Sequence, residues 1–495
     1  MSSIEEKLTE AIPRITAAID QGQRRYAISE LRPFFKKRIR VSAPLRSELA
    51  NCLRRVELFY PALKVLRPAG LLTQDEARTK IIYALTLISI GSNREAMKIL
   101  HALDLDSHPE ARLALALCYF RRWDYENAIP QLEQLLLRPE LLTADNILAA
   151  HTYQGVALLF DKSTLKRGLK ILKQNVDQTS VTESPVRHLN CLFFSCIGLL
   201  LDGQLKQVEH YLLKLARSNS SVPDAAAVNE QHIVESFLAL LRASLSERAA
   251  ARRAIQKLRN NLLGQELHYR AILVDYLLGF FTTDTQILER LYVGSGFPKL
   301  RELITPLLPK EPQTYRHKLI GDDTSKTVFV LDLGENTIVG RSPHRALLAL
   351  ASSFYRGLSL LELHEAIFET KDFQVSSSPA KVKQTLSRLR HWLAQKRIPL
   401  EIVAQKGLYT LQAKRPVELL IPVQTNPQKS ALSMRHLLLL RKIEKSFGTK
   451  TFDTHAVAKL FSISPSTAQR TILACVKSGA LKKLSDGPQT AYHLA

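Results

Sequence analysis

The side chains best suited to specific chemistry in this chain of 495 residues lie within residues 375–411. Polar and basic residues recur there, mostly three or four positions apart, which places them on one side of a helix: Lys381, Lys383, Gln384, Ser387, Arg388 and His391. These side chains donate hydrogen bonds to phosphate oxygens and to the edges of bases, and arginine and glutamine can each form two such bonds to one base. We therefore expect this side of the helix to contact double-stranded DNA.

The same segment predicts the elements that position these side chains. Ser378 followed by Pro379 is typical of a helix start, with the serine as the capping residue. Apolar residues on the opposite side predict the buried face: Val382, Leu386, Leu389 and Leu393. Residues 400–403 and 408–411 are predicted to be two short strands joined by a tight turn. Lys406 lies in that turn, and we expect it to contact the DNA backbone.

Charge and length support several domains and a polyanionic partner. The chain has a formal net charge of +23, and residues 311–495 contain 27 lysines and arginines against 14 aspartates and glutamates. A length near 500 residues predicts about three or four domains. The five cysteines form no CxxC pair, and neither a signal peptide nor an apolar run of membrane-spanning length is evident. We therefore expect a cytoplasmic protein that does not contact membranes.

Residues 1–310 show a helical repeat with a period near 34 residues. Small residues at Ala27, Ala62, Ala96 and Ala128 are each followed four positions later by leucine, and Ala50, Ala84 and Ala116 precede the last three by twelve positions. This pattern resembles tetratricopeptide repeats, most clearly in residues 113–139. The resemblance implies a helical solenoid whose groove binds a protein or peptide, mediates self-association or senses a signal.

Residues 315–413 resemble a second family. The segments VLDL, RALLALASSFYRGLSLLELHEAIFE, VKQTLSRLRHWL and EIVAQKGLYTL are similar to the winged-helix effector domain of OmpR and PhoB-type regulators. Strands are expected at KTVFVLDL and NTIVG, a helix over 343–355, and a second helix opened by a capping box of Ser359 and Glu362. The resemblance implies that the third helix enters the major groove and that the loop before it contacts RNA polymerase.

The end of the chain predicts another small domain. Residues 414–430 are expected to be a linker, and residues 431–495 resemble a generic bacterial winged helix. Asp453 and Ser464 are the predicted caps of its second and third helices. The outward side of the third helix would carry polar residues: Ser466, Gln469, Arg470 and Lys477. Leu473 also falls near that side, so DNA binding and a protein contact both remain open for this domain.

The sequence thus predicts a mainly α fold, with a tetratricopeptide-like solenoid followed by two small α+β winged-helix domains. No nucleophile elbow, phosphate-binding loop or metal-ligand cluster is present, so we expect no enzyme, cofactor or metal. The leading hypothesis is a sequence-specific bacterial transcription regulator that binds double-stranded DNA. The alternative is an assembly scaffold, similar to PCI-domain subunits, whose solenoid and winged helices bind proteins instead of DNA.

Overall fold

The computed structural model describes most of the chain. The described residues are 4–20, 23–35, 41–56, 58–66, 77–89, 92–179, 185–221, 225–265, 267–320, 328–334, 342–368, 377–405, 407–423, 440, 443–444, 446–448, 450–461, 463–477, 480–484 and 490–494. They form two compact units, residues 1–258 and 259–495.

The first unit is built from helices. They are α1 (Ile4–Asp20), α2 (Arg24–Phe35), α3 (Ala43–Arg55), α4 (Phe59–Leu66), α5 (Ala77–Ser89), α6 (Asn93–His101), α7 (Pro109–Arg121), α8 (Tyr125–Leu136), α9 (Ala144–Leu158), α10 (Leu165–Gln178), α11 (Pro185–Leu201), α12 (Leu205–Ser221), α13 (Ala225–Arg242) and the first part of α14 (Leu245–Gly264). The predicted helical array is confirmed.

The small residues of the repeat lie where paired helices approach each other. Ala27, Ala62, Ala96 and Ala128 lie on the even-numbered helices α2 to α8, Ala50, Ala84 and Ala116 lie on α3, α5 and α7, and all seven are buried. Each odd-numbered helix from α1 to α11 contacts the next odd-numbered one as well as its own partner. This pattern is that of a solenoid in which stacked pairs bury a continuous core.

The second unit begins with helices that the sequence assigned to the array. It contains the end of α14, α15 (His268–Thr282), α16 (Thr285–Gly294) and α17 (Pro298–Ile304). Gly294 at the end of α16 shows why these helices group with the next part of the chain. A Cβ atom at Gly294 would lie 1.9 Å from the Phe354 ring, and the Gly294 carbonyl accepts a hydrogen bond from the Phe354 amide at 3.3 Å.

The first α+β module, residues 314–422, contains two three-stranded sheets. Its elements are β1 (Thr314–Leu319), β2 (Phe329–Asp332), α18 (Ser342–Ala351), β3 (Leu358–Ser359), α19 (Leu360–Phe368), α20 (Ser378–Gln395), β4 (Leu400–Gln405), β5 (Leu408–Ala413) and β6 (Val417–Pro422). One sheet has the order β1-β6-β2, with β6 antiparallel to β1 and parallel to β2, and the other has the order β3-β5-β4.

Two strands of the first module correct the sequence prediction. Strand β6 lies within residues 414–430, which were predicted as a linker, and β1 precedes the segment expected to hold the first strand. The two pair with each other across about a hundred residues, from Thr314 opposite Pro422 to Leu319 opposite Val417. Pairing partners so distant in sequence leave no local signal, and β1 lacks a β-branched run.

In the first module the start of α19 follows the local pattern, whereas the end of α18 does not. The predicted capping box at α19 is confirmed, because the Ser359 amide donates to Glu362 Oε2 at 2.9 Å and the Glu362 amide donates to Ser359 Oγ at 3.2 Å. Helix α18 ends at Ala351, earlier than the predicted 355, because the following turn packs against α15 and α16. The predicted strand at 336–340 and the loop at 369–376 lie outside the described residues.

The second α+β module follows residue 440. Its elements are β7 (Phe452–Asp453), α21 (Thr454–Phe461), α22 (Pro465–Lys477), β8 (Leu481–Lys483) and β9 (Ala491–Leu494), with the strand order β7-β9-β8. The predicted caps are confirmed: Asp453 Oδ1 accepts from the Ala456 amide at 2.6 Å, and Ser464 Oγ accepts from the Thr467 amide at 3.3 Å. Most of the predicted helix at 434–447 lies outside the described residues.

None of the described helices is both long enough and apolar enough to cross a membrane.

Candidate nucleic-acid interface

Helix α20 presents one buried side and one exposed side. Val382, Leu386, Leu389 and Leu393 are at most 2% exposed. The predicted contact residues described on the other side are all exposed: Lys381, Lys383, Gln384, Ser387, Arg388 and His391. We call these six residues the α20 stripe. The helix carries no acidic residue, and it is 18 residues long, so at about 1.5 Å per residue it could extend along a major groove.

The start of α20 differs by one residue from the prediction. Ser377 occupies the N-cap position without a capping hydrogen bond from its side chain, and Ser378 is the first helical residue, 2% exposed. The predicted cap at Ser378 is therefore wrong. A serine followed by proline marks the region of a helix start, but either of two adjacent serines can take the cap position.

The hairpin behind α20 is held against the helix by Arg390. Strand β4 extends two residues beyond the prediction, so that Gln405 pairs with Leu408 next to Gly407, whose φ is +80°. The Arg390 guanidinium donates a hydrogen bond to the Ile402 carbonyl of β4 at 2.9 Å. Arg388 and Arg390 are both exposed, and Arg390 also joins the helix to the hairpin through its bond to Ile402. Lys406 lies outside the described residues.

A buried ionic cluster supports the turn between α18 and β3. Asp275 of α15 is fully buried and accepts a 2.7 Å hydrogen bond from the Tyr355 hydroxyl. Arg259 Nη1 lies 3.3 Å from Asp275 Oδ1, and Arg290 Nε lies 4.0 Å from Oδ2. Burial raises the pKa of the Asp275 carboxyl, and the two guanidinium groups oppose that rise. Burial and the adjacent carboxyl raise the pKa of Tyr355, so its hydroxyl remains a donor.

Helix α22 of the second module has a more mixed outer side. Ala468, Ile472 and Cys475 are completely buried, as predicted. Ser466, Gln469 and Arg470 are exposed, but Arg470 Nε donates to the Ser466 carbonyl of its own helix at 3.3 Å. Leu473 is 48% exposed beside them. Lys477 ends the helix, and its side chain lies outside the described residues.

The sequence prediction missed the residues that support the turn between α18 and β3. Asp275, Tyr355 and the two arginines around them are separated by up to about a hundred positions, so no local motif joins them. One signal was present, since Asp275 is the single charged residue within the apolar helical run AILVDYLLGFF. A lone carboxylate on such a helix needs a partner when it is buried.

The described residues contain no group of three or more histidine, cysteine, aspartate or glutamate side chains able to hold a metal ion. The five cysteines are buried as thiols. A comparison with models of known protein families finds no match, and a comparison with curated proteins finds none either. The geometry of the two modules and of the array is therefore the basis for the functional argument.

Proposed function

We propose that this chain is a sequence-specific DNA-binding protein that regulates transcription, with the α20 stripe as its main contact to bases. The observation that carries the proposal is the composition of the exposed side of α20. Six polar or basic side chains face outward, the opposite side is buried, and a hairpin lies next to the helix. Arginine and glutamine in such a position suit guanine and adenine respectively.

The electrostatics agree with a polyanionic partner. Helix α20 carries four lysines and arginines and no acidic residue. Contacts from such side chains to phosphates release counterions, so the affinity should fall steeply with salt. A solvated surface helix of a globular protein usually mixes both signs of charge, which the α20 stripe does not.

The second module favours a different partner class. Leu460, Leu473 and Leu484 are between 41% and 52% exposed, and Leu473 lies among the outward residues of α22. Exposed leucines on a helix surface suit a protein contact better than a phosphate backbone. We propose that this module binds a protein, with Ser466, Gln469, Arg470 and Lys477 as DNA contacts in the alternative. RNA polymerase is one candidate partner.

In this proposal the helical array binds the partner or senses the signal that regulates the protein. A solenoid with a continuous core leaves a groove for a peptide or a protein segment, or for a second copy of the chain. A cavity of about 280 Å³ beside Arg112 is one candidate for such a site within the described part of this array. Arg112 is 8% exposed and donates to Asp106 at 2.5 Å and to Gln131 at 3.3 Å.

The test is a salt titration of the full chain binding to a random duplex and to the promoter of its own gene, measured by fluorescence anisotropy. Arg388→Ala should cost about 1–3 kcal/mol of discrimination between the promoter and the random duplex, since a bidentate base contact is lost. Arg316→Ala is the matched control, because Arg316 is an exposed guanidinium on β1, outside the α20 stripe. Arg316→Ala should reduce the affinity for both duplexes slightly and by the same factor.

Two results would count against the proposal. Absence of binding to either duplex at low salt would leave the assembly scaffold as the better function. Equal discrimination by Arg388→Ala and by the unsubstituted chain would show that α20 does not contact bases.

A further inference from the structure

A cavity of about 520 Å³ lies within the second unit, next to the hairpin of the first module. Four parts of the unit supply its walls: the end of α14 with the start of α15, strands β1 and β6, the end of α18 with the turn after it, and the hairpin strands β4 and β5. Its volume falls in the range of about 300–1,000 Å³ that is usual for small-molecule sites.

The walls combine apolar surface with uncharged hydrogen-bonding groups. Leucines contribute from α14, α18 and strands β1, β5 and β6: Leu263, Leu350, Leu319, Leu408, Leu411 and Leu419. Thr410 and Gln412 of β5 add a hydroxyl and an amide. Arg356 contributes a charged group to the lining, and it is already paired with Glu362 of α19.

One wall of the cavity is aromatic. The rings of His317 and Phe354 are stacked, with centroids 4.0 Å apart and an angle of 17° between the planes. Tyr315 extends the group, with its ring centroid 5.4 Å from that of Phe354. Burial, with Arg290 nearby, lowers the pKa of His317 to about 4, so the imidazole is neutral near pH 7. The remaining face or the edge of such a neutral stacked pair suits contact with another aromatic ring.

The cavity contacts the parts of the first module that a regulator would need to move. Gln405 and Leu408, which flank the hairpin turn, line it from one side. The turn that carries Tyr355 lines it from another and leads directly into β3, which pairs with β5. A molecule bound here would touch both the hairpin and the turn that Asp275 anchors.

We propose that this cavity binds a small, planar, uncharged aromatic molecule with hydrogen-bonding groups on its edge, and that its occupancy changes the affinity of the chain for DNA. The ring would stack on the His317 and Phe354 wall, and the polar edge would bond Thr410 or Gln412. An anion is disfavoured because its charge would be desolvated beside a guanidinium that already has a partner. The effect on DNA affinity rests on the proposed DNA-binding function, whereas binding of the small molecule does not.

The binding test uses 2-naphthamide and 2-naphthoate, which have the same ring and nearly the same shape but differ in charge. Isothermal titration calorimetry with the full chain should show one site for the amide and at least about tenfold weaker binding of the carboxylate, the factor that corresponds to 1.4 kcal/mol. Equal or tighter binding of the carboxylate would overturn the assigned ligand class. No binding of either compound would overturn the site.

Substitutions locate the binding. Thr410→Trp should fill the cavity and abolish amide binding, whereas Thr314→Trp, an exposed threonine of β1 outside the lining, should leave it unchanged. His317→Leu is a second variant in case Thr410→Trp disturbs the strand pairing. It keeps the apolar surface and removes the imidazole, so it should weaken amide binding. Unchanged affinity in His317→Leu, or equal loss in both tryptophan variants, would overturn the location.

The effect of the bound molecule on DNA affinity is measured separately. Saturating 2-naphthamide should change the dissociation constant for the promoter duplex at least about fivefold, and DNA should change the affinity for the amide by the same factor. If the amide binds and the DNA affinity is unchanged, the proposed regulatory effect is wrong and the proposed site still stands. Amide binding by a chain that binds no DNA would retain the site and count against the DNA-binding function.

Discussion

The two α+β modules share an arrangement and differ in the side chains that it exposes. Each contains a three-stranded sheet, and two strands of that sheet follow the last helix of the module. The last helix of the first module, α20, presents the α20 stripe, whereas α22 presents Leu473 next to Arg470. The arrangement is therefore common to both modules, and we propose that the side chains on the outward side of α20 and α22 decide which partner each module binds.

The modules also differ in how they are supported. The first module is joined to α15 and α16 through the buried cluster of Asp275, Tyr355, Arg259 and Arg290. The described core of the second module is apolar, with Ile443, Ile472 and Tyr492 among its buried members. We infer that the position of α20 depends on residues outside its own module, and that the position of α22 depends on local packing.

Removing the buried carboxylate should produce the largest contrast between the modules. Asp275→Ala leaves two guanidinium groups and the Tyr355 hydroxyl without their buried acceptor, which should cost about 3–5 kcal/mol. Hydrogen exchange measured by mass spectrometry should show faster exchange in α18 to α20 and no change in α22.

Asp284→Ala is the matched control for this substitution. Asp284 caps α16 by accepting from the Gln286 and Ile287 amides, so its loss should cost about 1 kcal/mol. If Asp275→Ala were no more disruptive than Asp284→Ala, or if both modules exchanged faster by the same factor, the inferred difference in support would be wrong.

Acid should destabilise the first module through His317. The folded pKa, lowered to about 4 by burial, lies below the unfolded value of about 6.5, so the unfolded chain binds the proton more readily. The free energy of unfolding should fall as pH decreases from about 6.5 and should stop falling near pH 4. This group should account for a decrease of at most about 3 kcal/mol. His317→Gln should flatten that part of the pH profile in urea denaturation.

A histidine of the second module provides the comparison. His455 is exposed at the start of α21, and His455→Gln is the matched control substitution. A profile flattened equally by both substitutions would assign the acid sensitivity to something other than the stacked wall of His317 and Phe354.

The smallest effect is expected from α22. Arg470→Ala should reduce the affinity for DNA by less than about 1 kcal/mol and leave sequence discrimination unchanged, because Arg470 bonds its own helix and a single surface charge contributes little. Anisotropy titrations on the two duplexes used for Arg388→Ala make the values comparable. Relaxed discrimination in Arg470→Ala would show that both modules contact bases.

The sequence predicts local features of this fold well because they depend on neighbouring residues. The capping box of Ser359 and Glu362, the cap at Asp453 and the alternation of buried and exposed positions on α20 each lie within a few turns of helix. The exposed residues of the α20 stripe follow from the same periodicity.

Features that depend on distant residues were not predictable in this way. Strand β6 exists because it pairs with β1 and β2, and its sequence lies next to a proline-rich segment that resembles a linker. The bond from Tyr355 to Asp275 joins residues 80 positions apart. Such contacts are selected by the tertiary fold, which overrides local propensity.

The pairing of β1 with β6 has a consequence for how the first module could be exchanged. Thr314 lies opposite Pro422, and the Val423 amide donates to the Gln313 carbonyl at 3.0 Å, so the chain enters and leaves the module at adjacent backbone positions. A module with adjacent ends can be inserted into, or replaced within, another chain without stretching its neighbours. Under the proposed DNA-binding function, exchanging residues 314–422 as one unit would change the target sequence, provided that the incoming unit retains a partner for Asp275.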